Sequence, residues 1–430
     1  MFVSKSALEK EKSHVAGFKA EVAWVTRSGD KDLQEPIAIR PTSETIMYPF
    51  YQKWIRSHRD LPLKLNQWTN IVRWEFKDPT PFIRTREFLW QEGHTAHATC
   101  AEADKMVQDM LEVYRKVYEE VLAIPVIKGI KSEEEKFPGA LYTTSVETIL
   151  PSNGRGVQAA TSHNLGQNFS KMFEIYFENE KHEKELVWQT SWGFTTRSIG
   201  IMVLMHGDDK GVVLPPRVAP TQAVLIPIFY KPEDNDKICA KLKELEVILQ
   251  DVNVRTKVDD RTIYTPGWKF NHWELKGVPL RIELGMKDYE KSSVFVARRD
   301  TGEKVSIKWE NIKKEIPELL EKIQNDMLNR AKKAVQDCII KVSNWELFMQ
   351  SLNQRKSCMA PWCKTEDCEK KIKERSIVES KEIAKTDPSI LTGSVKTLNL
   401  PFDTEAILPG EKCFACDKPA ACRALWGRSY

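Results

Sequence analysis

Arginines, acids and aromatics recur at every second position near the front of this chain. Over 84–94, Arg84, Arg86, Phe88, Trp90, Glu92 and His94 occupy alternate places. Ahead of them, Arg73 and Glu75 alternate with Val72, Trp74 and Phe76, and a break carrying Asp78, Pro79, Thr80 and Pro81 separates the two runs. Two such runs joined by a short turn predict an antiparallel hairpin with arms over 72–76 and 84–94. The chemistry this row could do is nucleotide binding. A phosphate needs a guanidinium fork in fixed geometry, which lysine does not supply, and a purine needs an aromatic face. Arg73, Arg84 and Phe88 meet both needs on one face, with Glu75 accepting from an exocyclic amine. The competing reading is a solvated strand face of cross-strand ion pairs. Aromatics on the same face as the charges favour a ligand.

Other stretches carry weaker signals. In Arg40-Pro-Thr-Ser-Glu44, Thr42 and Glu44 share a face if extended, and a hydroxyl beside a carboxylate suits a cationic amine. Thr42 or Ser43 serves equally as the N-cap of a helix over 45–56, and the motif alone favours the cap. The stretch 154–167 is polar and rich in small residues, without P-loop spacing, and its glycines could simply serve turns. From Trp192 the sequence Trp-Gly-Phe-Thr-Thr-Arg leads into an apolar helix. Arg197 at that helix start opposes the macrodipole, which points to a ligand, the alternative being an ordinary surface arginine. Six of the nine cysteines follow Lys341. Cys363 and Cys368, with Cys413 and Cys416, form two short-spaced pairs that fit a tetrahedral four-thiolate zinc site. Cys358 and Cys422 compete for membership, and reduced thiols without metal are the alternative. A structural zinc contributes roughly 10 kcal/mol or more to folding a module poor in core residues.

These residues need a scaffold, and 430 residues provide for two to four domains. With 41% hydrophobic and 29% charged residues the composition is that of a soluble globular protein. A net charge of +4 excludes a bulk polycation and leaves room for a local basic surface. No apolar run approaches the roughly 18 residues of a membrane span, and the N-terminus lacks a signal-peptide core, so a cytoplasmic, membrane-free protein is expected, with its cysteines unbridged. An amphipathic helix is expected over 101–122, striped by Met106, Met110, Val113, Val117 and Val121. A proline-rich linker over 213–220 ends the first region. Beyond it, strands over 222–229, 252–258 and 278–284, helices over 236–250 and 267–275, and a hairpin turning at 300–302 predict an α/β domain with a mixed sheet. A long helix follows over 316–339 with Pro317 in its first turn, and the lysine-rich remainder reads as a small appended module.

Taken in order, Arg-Pro-Thr-Ser-Glu, Arg-Trp-Glu, Arg-Thr-Arg-Glu-Phe-Leu-Trp-Gln-Glu-Gly-His, Thr-Ser-His-Asn-Leu-Gly-Gln, Trp-Gly-Phe-Thr-Thr-Arg, Pro-Gly-Trp-Lys-Phe-Asn-His-Trp-Glu-Leu-Lys-Gly-Val-Pro and a terminal Gly-Arg-Ser-Tyr resemble the prolyl-tRNA synthetases of the eukaryotic and archaeal type, over essentially the whole chain. The synthetase half of the fused glutamyl–prolyl enzymes of animals is equally similar. The resemblance implies an α/β (α+β) protein: a class II antiparallel-sheet catalytic domain over 1–215, an anticodon-binding α/β domain over 220–330, and a zinc-binding C-terminal α/β domain over 331–430. It implies that L-proline and ATP form prolyl-adenylate, from which tRNA(Pro) takes the prolyl group.

It further implies that Arg73 and Arg197 are catalytic, and that Arg73, Glu75, Arg84, Thr85, Phe88, Gln158, Thr161, Thr195 and Arg197 bind ATP, Gln158 with its Mg²⁺. Thr42, Glu44, Arg73, Trp90, Glu92, Phe137, His163 and Trp192 would form the proline pocket, and Cys363, Cys368, Cys413 and Cys416 would hold structural Zn²⁺. The family's first motif, a helix and strand that build a homodimer, would precede Phe2, so the dimer interface is expected in a region absent from this chain. A fused form would join a multisynthetase complex. No large editing insertion separates the second and third motifs, so shape alone would reject alanine poorly. A truncated product that binds tRNA or protein without forming adenylate is the alternative.

Overall fold

Apolar alternation makes strands, but which strands pair is a tertiary decision, and the front hairpin shows it. The computed structural model describes residues 1–6, 8–9, 22–74, 79–229, 232–385, 387 and 391–430. They fall into two compact units. One contains Met1–Lys116, Val126–Ile201 and Val335–Tyr430, the other Val117–Pro125 and Met202–Ala334.

The first unit opens with a three-stranded sheet in which β1 (Phe2–Ser4) and β2 (Trp24–Ser28) flank β3 (Lys31–Ile39). Helix α1 (Glu44–Trp54) follows, burying Tyr48 and Tyr51. Then come β4 (Leu63–Val72), β5 (Glu87–His97), α2 (Cys100–Lys116), β6 (Ile127–Ile130), β7 (Tyr142–Leu150) and β8 (Arg155–Gly166). A small hairpin of β9 (Tyr176–Glu178) and β10 (Lys184–Leu186) precedes β11 (Trp188–Thr195), and α3 (Arg197–His206) begins in this unit and ends in the other.

In the second unit β12 (Ala223–Ile228), α4 (Asn235–Gln250), β13 (Thr256–Val258), α5 (Pro266–Leu275), β14 (Leu280–Gly285), β15 (Ser293–Arg298), β16 (Lys304–Lys308) and α6 (Ile312–Gln336) build the expected mixed sheet. Its order is β13-β12-β14-β15-β16, parallel about β12 and antiparallel beyond β14. Ile238, Leu242, Leu245 and Leu249 of α4 are fully buried against it.

The chain then returns to the first unit with β17 (Ile339–Lys341), α7 (Trp345–Asn353), β18 (Ser357–Trp362), α8 (Glu366–Ala384), β19 (Val395–Pro401) and β20 (Cys422–Arg428). These strands are joined to the first unit's large sheet rather than set apart from it. They continue one ten-stranded sheet, ordered β17-β18-β20-β19-β6-β7-β8-β11-β5-β4. The join is β19 on β6, Leu400 opposite Ile130. Nor is this end poor in core, since Phe348, Phe414, Trp362 and Trp426 are buried together. Gly154 explains how closely the C-terminal residues approach. It sits at φ +70, and a Cβ there would stand 1.8 Å from the carbonyl oxygen of Arg355.

Four other expectations need correcting. The first hairpin arm begins well before Val72, and of the expected 72–76 the residues Glu75 and Phe76 lie outside the described ones. β4 ends at Val72, opposite Glu87, and one further bond joins the Arg73 amide to the Arg86 carbonyl at 2.7 Å. Arg84 and Arg86 precede β5, and Arg84 is locked in a tight turn whose backbone pairs with Thr80. The buried stripe of α2 is Ala103, Val107, Leu111 and Tyr114, while Val113 is exposed. The aromatic Tyr114 and small Ala103 decide that face, and Met106 and Met110 are only half-buried beside it. The strand expected from Val252 begins at Thr256, because Asn253 takes a left-handed turn at φ 61. The long helix starts at Ile312, which leaves Pro317 inside it rather than in the first turn. All nine cysteines are unbridged, as expected.

Candidate active site

The period-2 row on β5 survives and becomes the floor of a cavity. Phe88, Trp90, Glu92 and His94 point to one face, and the cavity of about 280 Å³ that opens there is lined by all four. The neighbouring β11 contributes Ser191, Gly193 and Thr195, and β8 contributes Gln158, Thr161 and His163. Beside Gly193 the Trp90 ring lies 3.4 Å from where a Cβ would stand, an ordinary packing distance. Thr42 and Glu44 close one end from the start of α1, and Phe82, Ile83 and Arg197 border another part.

The acidic end is a tightly bonded network. Ser43 does not cap α1 with its side chain, contrary to the expectation from the motif. Its hydroxyl donates to Glu92 instead, and the Thr42 hydroxyl donates to Glu44. Gln67 also donates to Glu92 at 2.6 Å, and His94 Nε2 lies 2.9 Å from the same carboxylate. Tyr48 pairs its hydroxyl with His94 Nδ1 at 3.1 Å, and Tyr51 donates to the His94 carbonyl at 2.7 Å. Burial alone would push the Glu92 carboxyl up; the hydrogen bonds from His94, Ser43 and Gln67 outweigh it and hold the group below the ordinary range. Burial likewise disfavours a charged His94, but Glu92 and Glu44 beside it raise its pKa. His163 behaves oppositely. Burial, reinforced by His94, Arg73 and Lys131, lowers it to about 3, so the ring is neutral and pairs through Nδ1 with Thr143 at 2.9 Å. Phe137 packs over it, 4.8 Å between ring centres.

The basic end is oriented by backbone carbonyls. Arg73 Nε donates to the Pro41 carbonyl at 3.1 Å, and its guanidinium lies 5.6 Å from the centres of both Phe88 and Trp90. Arg197 donates to the carbonyls of Ile83 at 2.7 Å and Gln158 at 3.1 Å. Thr195 accepts from the Arg197 amide at 3.2 Å. An ammonium-bearing acid and an anionic, aromatic-seeking nucleotide are therefore complementary to opposite parts of one cavity.

Thr42, Glu44, Arg73, Thr85, Phe88, Trp90, Glu92, Phe137, Gln158, Thr161, His163, Trp192, Thr195 and Arg197 all border this cavity. Arg84 does not. Glu75 lies outside the described residues. Trp192 borders the cavity while its indole packs over Gly93, on which a Cβ would meet the ring at 1.9 Å. Strand alternation puts Gly93 on the opposite face from Glu92 and His94. Sequence reasoning omitted His94 from the site although it stands two residues beyond Glu92 in the same row. It also omitted Phe82, Glu135 and Thr143, which only tertiary pairing brings here.

The cysteines form a second constellation. The sulfurs of Cys363, Cys368, Cys413 and Cys416 all lie within 4.8 Å of one another. Cys368 is 3.8 Å from Cys413 and from Cys416, and Cys416 is 3.7 Å from Cys363. A tetrahedron with zinc–sulfur bonds of about 2.3 Å requires edges of about 3.8 Å, so the donor set fits the ion. The two competitors stand apart: Cys358 points at the Phe348 carbonyl and Cys422 at that of Trp362. Burial raises their thiols to about 12 and about 11, which keeps them protonated.

Comparison with known proteins defines the class first. The family described as tRNA synthetase class II core domain (G, H, P, S and T) matches residues 19–206, and an anticodon binding domain matches residues 222–319. A family described as prolyl-tRNA synthetase, C-terminal, matches residues 345–430. The cytoplasmic proline–tRNA ligase of Arabidopsis thaliana is 55% identical over the whole chain, which spans 79% of that relative. The bifunctional glutamate/proline–tRNA ligase of Drosophila melanogaster is 51% identical, again over the whole chain but over 25% of its own length. A crystal structure of prolyl-tRNA synthetase from Cryptosporidium parvum, complexed with halofuginone and AMPPNP, superposes with a TM-score of 0.91 at 57% identity, covering 100% of this chain and 86% of that one. The chain belongs to the prolyl-tRNA synthetase family, of the eukaryotic and archaeal type. Its activity is the ATP-dependent attachment of proline to tRNA(Pro).

Proposed function

We propose that the cavity on β5, β8 and β11 holds ATP and L-proline together, in the cytoplasm, and makes prolyl-adenylate. One observation carries this assignment of roles: Arg73 and Arg197 line the same cavity as the buried carboxylates Glu44 and Glu92. Arg73 and Arg197 take phosphate oxygens, with Thr85, Thr161 and Thr195 as hydroxyl donors beside them. Phe88 supplies a face for adenine, and Glu75 and Arg84 belong to the nucleotide end by motif alone. Thr42 and Glu44 receive the imino nitrogen, and Trp90, Glu92, Phe137, His163 and Trp192 enclose the ring.

The proline carboxylate attacks the α-phosphorus, a new carboxyl–phosphate bond forms, and pyrophosphate leaves. The terminal ribose hydroxyl of tRNA(Pro) then attacks the prolyl carbonyl and AMP leaves. No side-chain nucleophile takes part. Orientation of the two substrates and neutralisation of phosphate charge by the arginines supply the rate. Mg²⁺ takes one or two protein oxygens together with substrate phosphates, and Gln158 offers one; the ion would neutralise phosphate charge. Cys363, Cys368, Cys413 and Cys416 would hold Zn²⁺ as a structural ion. We further assign 1–215, 220–330 and 331–430 as the catalytic, anticodon-binding and C-terminal domains, and a homodimer as the working form.

The test is proline-dependent exchange of pyrophosphate into ATP by a dimeric preparation. Exchange that is abolished in Arg73→Ala and Arg197→Ala is the expected result. Undiminished exchange in both variants would overturn the role given to these residues.

A further inference from the structure

Between β6 and β7 the chain makes a loop, 131–140, whose two ends do different things. Its far part, with Glu135, Lys136, Phe137 and Pro138, walls the cavity. Its near part is fastened to the C-terminal strands and to α8. Lys131 donates to the Leu398 carbonyl at 2.6 Å and pairs with Glu147 at 2.7 Å. Ser132 donates to Glu369 at 3.0 Å, Glu134 pairs with Lys370 at 3.0 Å, and Glu135 pairs with Lys373 at 2.8 Å and with Lys396 at 3.3 Å.

Glu369 is the pivot. It is fully buried, it follows Cys368 in sequence, and it also accepts from Thr397 at 2.7 Å and faces Lys373 at 3.5 Å. A buried carboxylate is a poor source of stability, since an apolar side chain of similar volume serves a core as well or better. Its geometry fixes something else: the first turn of α8, which carries Cys368, is tied through Glu369 and Lys373 to Ser132 and Glu135. Those two residues precede Phe137, whose ring packs on His163 and whose amide donates to Thr143 at 2.9 Å. The chain of contacts from the thiol cluster to the cavity wall is continuous.

We infer that Lys373 and Glu369 are positioning residues for the amino-acid side of the cavity, and that the cysteine corner acts on proline binding through them. The inference rests on the reading of this cavity as the proline site. It assigns the C-terminal end of the sheet a part in substrate affinity besides its part in folding. Lys373 touches no substrate. It sets where Glu135 and the Phe137 loop stand, so its loss weakens proline binding and leaves the nucleotide end alone.

The full chain carrying Lys373→Met keeps the aliphatic stem and deletes the charge. Its proline KM in pyrophosphate exchange, and its proline Kd by calorimetry, are expected to rise by about tenfold, with ATP KM and zinc content unchanged. Lys373→Arg is expected to restore most of the loss. Glu369→Gln, nearly isosteric, provides a second variant should the methionine form fold poorly, and Cys416→Ser is expected to raise proline Kd in the same direction. A folded Lys373→Met or Glu369→Gln protein that binds proline as the parent does would overturn the inference. So would a variant in which proline and ATP binding weaken alike. A parent protein that binds no proline at all would instead overturn the functional reading beneath it.

Discussion

The two ends of the ten-stranded sheet handle burial in opposite ways. From β7 to β4 one face carries Thr, Ser, His and Glu around a cavity, and Gly93 on the other face makes room for the Trp192 indole. From β19 to β17 the same sheet is filled by Trp362, Trp426, Phe348 and Phe414, beside a cluster of four sulfurs and the buried Glu369. One end spends close packing to keep an empty, polar space in fixed geometry. The other uses aromatic bulk and a metal-ready corner to hold its strands. A continuous sheet lets the second brace the first.

The largest expected effect tests whether aromatic packing at the second end is sufficient without metal. In Cys413→Ser, Cys416→Ser protein, zinc content falls to zero and thermal unfolding shifts down strongly, since structural zinc is worth on the order of 10 kcal/mol. Metal analysis with calorimetry reads both. An unchanged transition with no bound metal would show that Trp362 and Trp426 suffice and that the corner is not structural.

Next is Arg73→Ala at the cavity end. Adenylate formation should fall by about 10²–10³-fold, while the unfolding transition moves far less, because the Arg73 side chain is only half-buried. A variant that loses stability but keeps its rate would reverse the contrast between the two ends.

Gly93→Ala comes third. The added methyl would overlap the Trp192 ring, at 1.9 Å from its nearest atom. Overpacking of this kind costs typically about 1–3 kcal/mol. Gly267→Ala is the control. It lies in helix α5 with nothing within 4 Å of the new Cβ, so it should stabilise by about 0.5–1 kcal/mol. Equal effects at both glycines, read by denaturant midpoints, would refute the account of Gly93.

The comparison also explains what could be read from residues alone. The four cysteines were legible as pairs because metal geometry constrains short spacings, yet only the fold separates them from Cys358 and Cys422. The β5 row was legible because a strand repeats every second residue. Its partner was misplaced because β4 (Leu63–Val72) mixes Lys64, Asn66 and Trp68 on an edge with half-buried neighbours, and carries no strong signal. The stripe of α2 was misread because Met and Val mark a helical period without saying which side meets a sheet. The C-terminal strands looked like a module because nothing local reveals that β19 pairs with β6, far away in sequence. Arg73 stood out by its place in the alternating row and Arg197 by its place at a helix start, whereas the motif holding Thr42 and Glu44 read as a helix cap, and family resemblance, not spacing, singled those two out.

The smallest effect separates the two ends by pH. Residues 335–430 contain no histidine, whereas the cavity end buries His94 and His97 and half-buries His163. Burial holds His97 at about 4 and His163 at about 3. Their unfolded-state pKa is about 6.5, so below it the unfolded chain binds protons that the native state refuses. Stability from these two is therefore present above about pH 6.5 and is lost as pH falls toward 4 and 3. His94 runs the other way, because its raised pKa lets the native state take the proton first, and that contribution is lost as pH rises through its folded value. Between pH 7 and 6 each group is worth less than about 1 kcal/mol, and His94 offsets one of the other two. A small net loss on acidification should remain, and it should shrink in His163→Asn. Denaturant titrations of parent and variant at the two pH values read the difference; a parent that gains stability at pH 6 would mean that the acid–histidine floor, rather than the buried neutral rings, sets the pH response of this end.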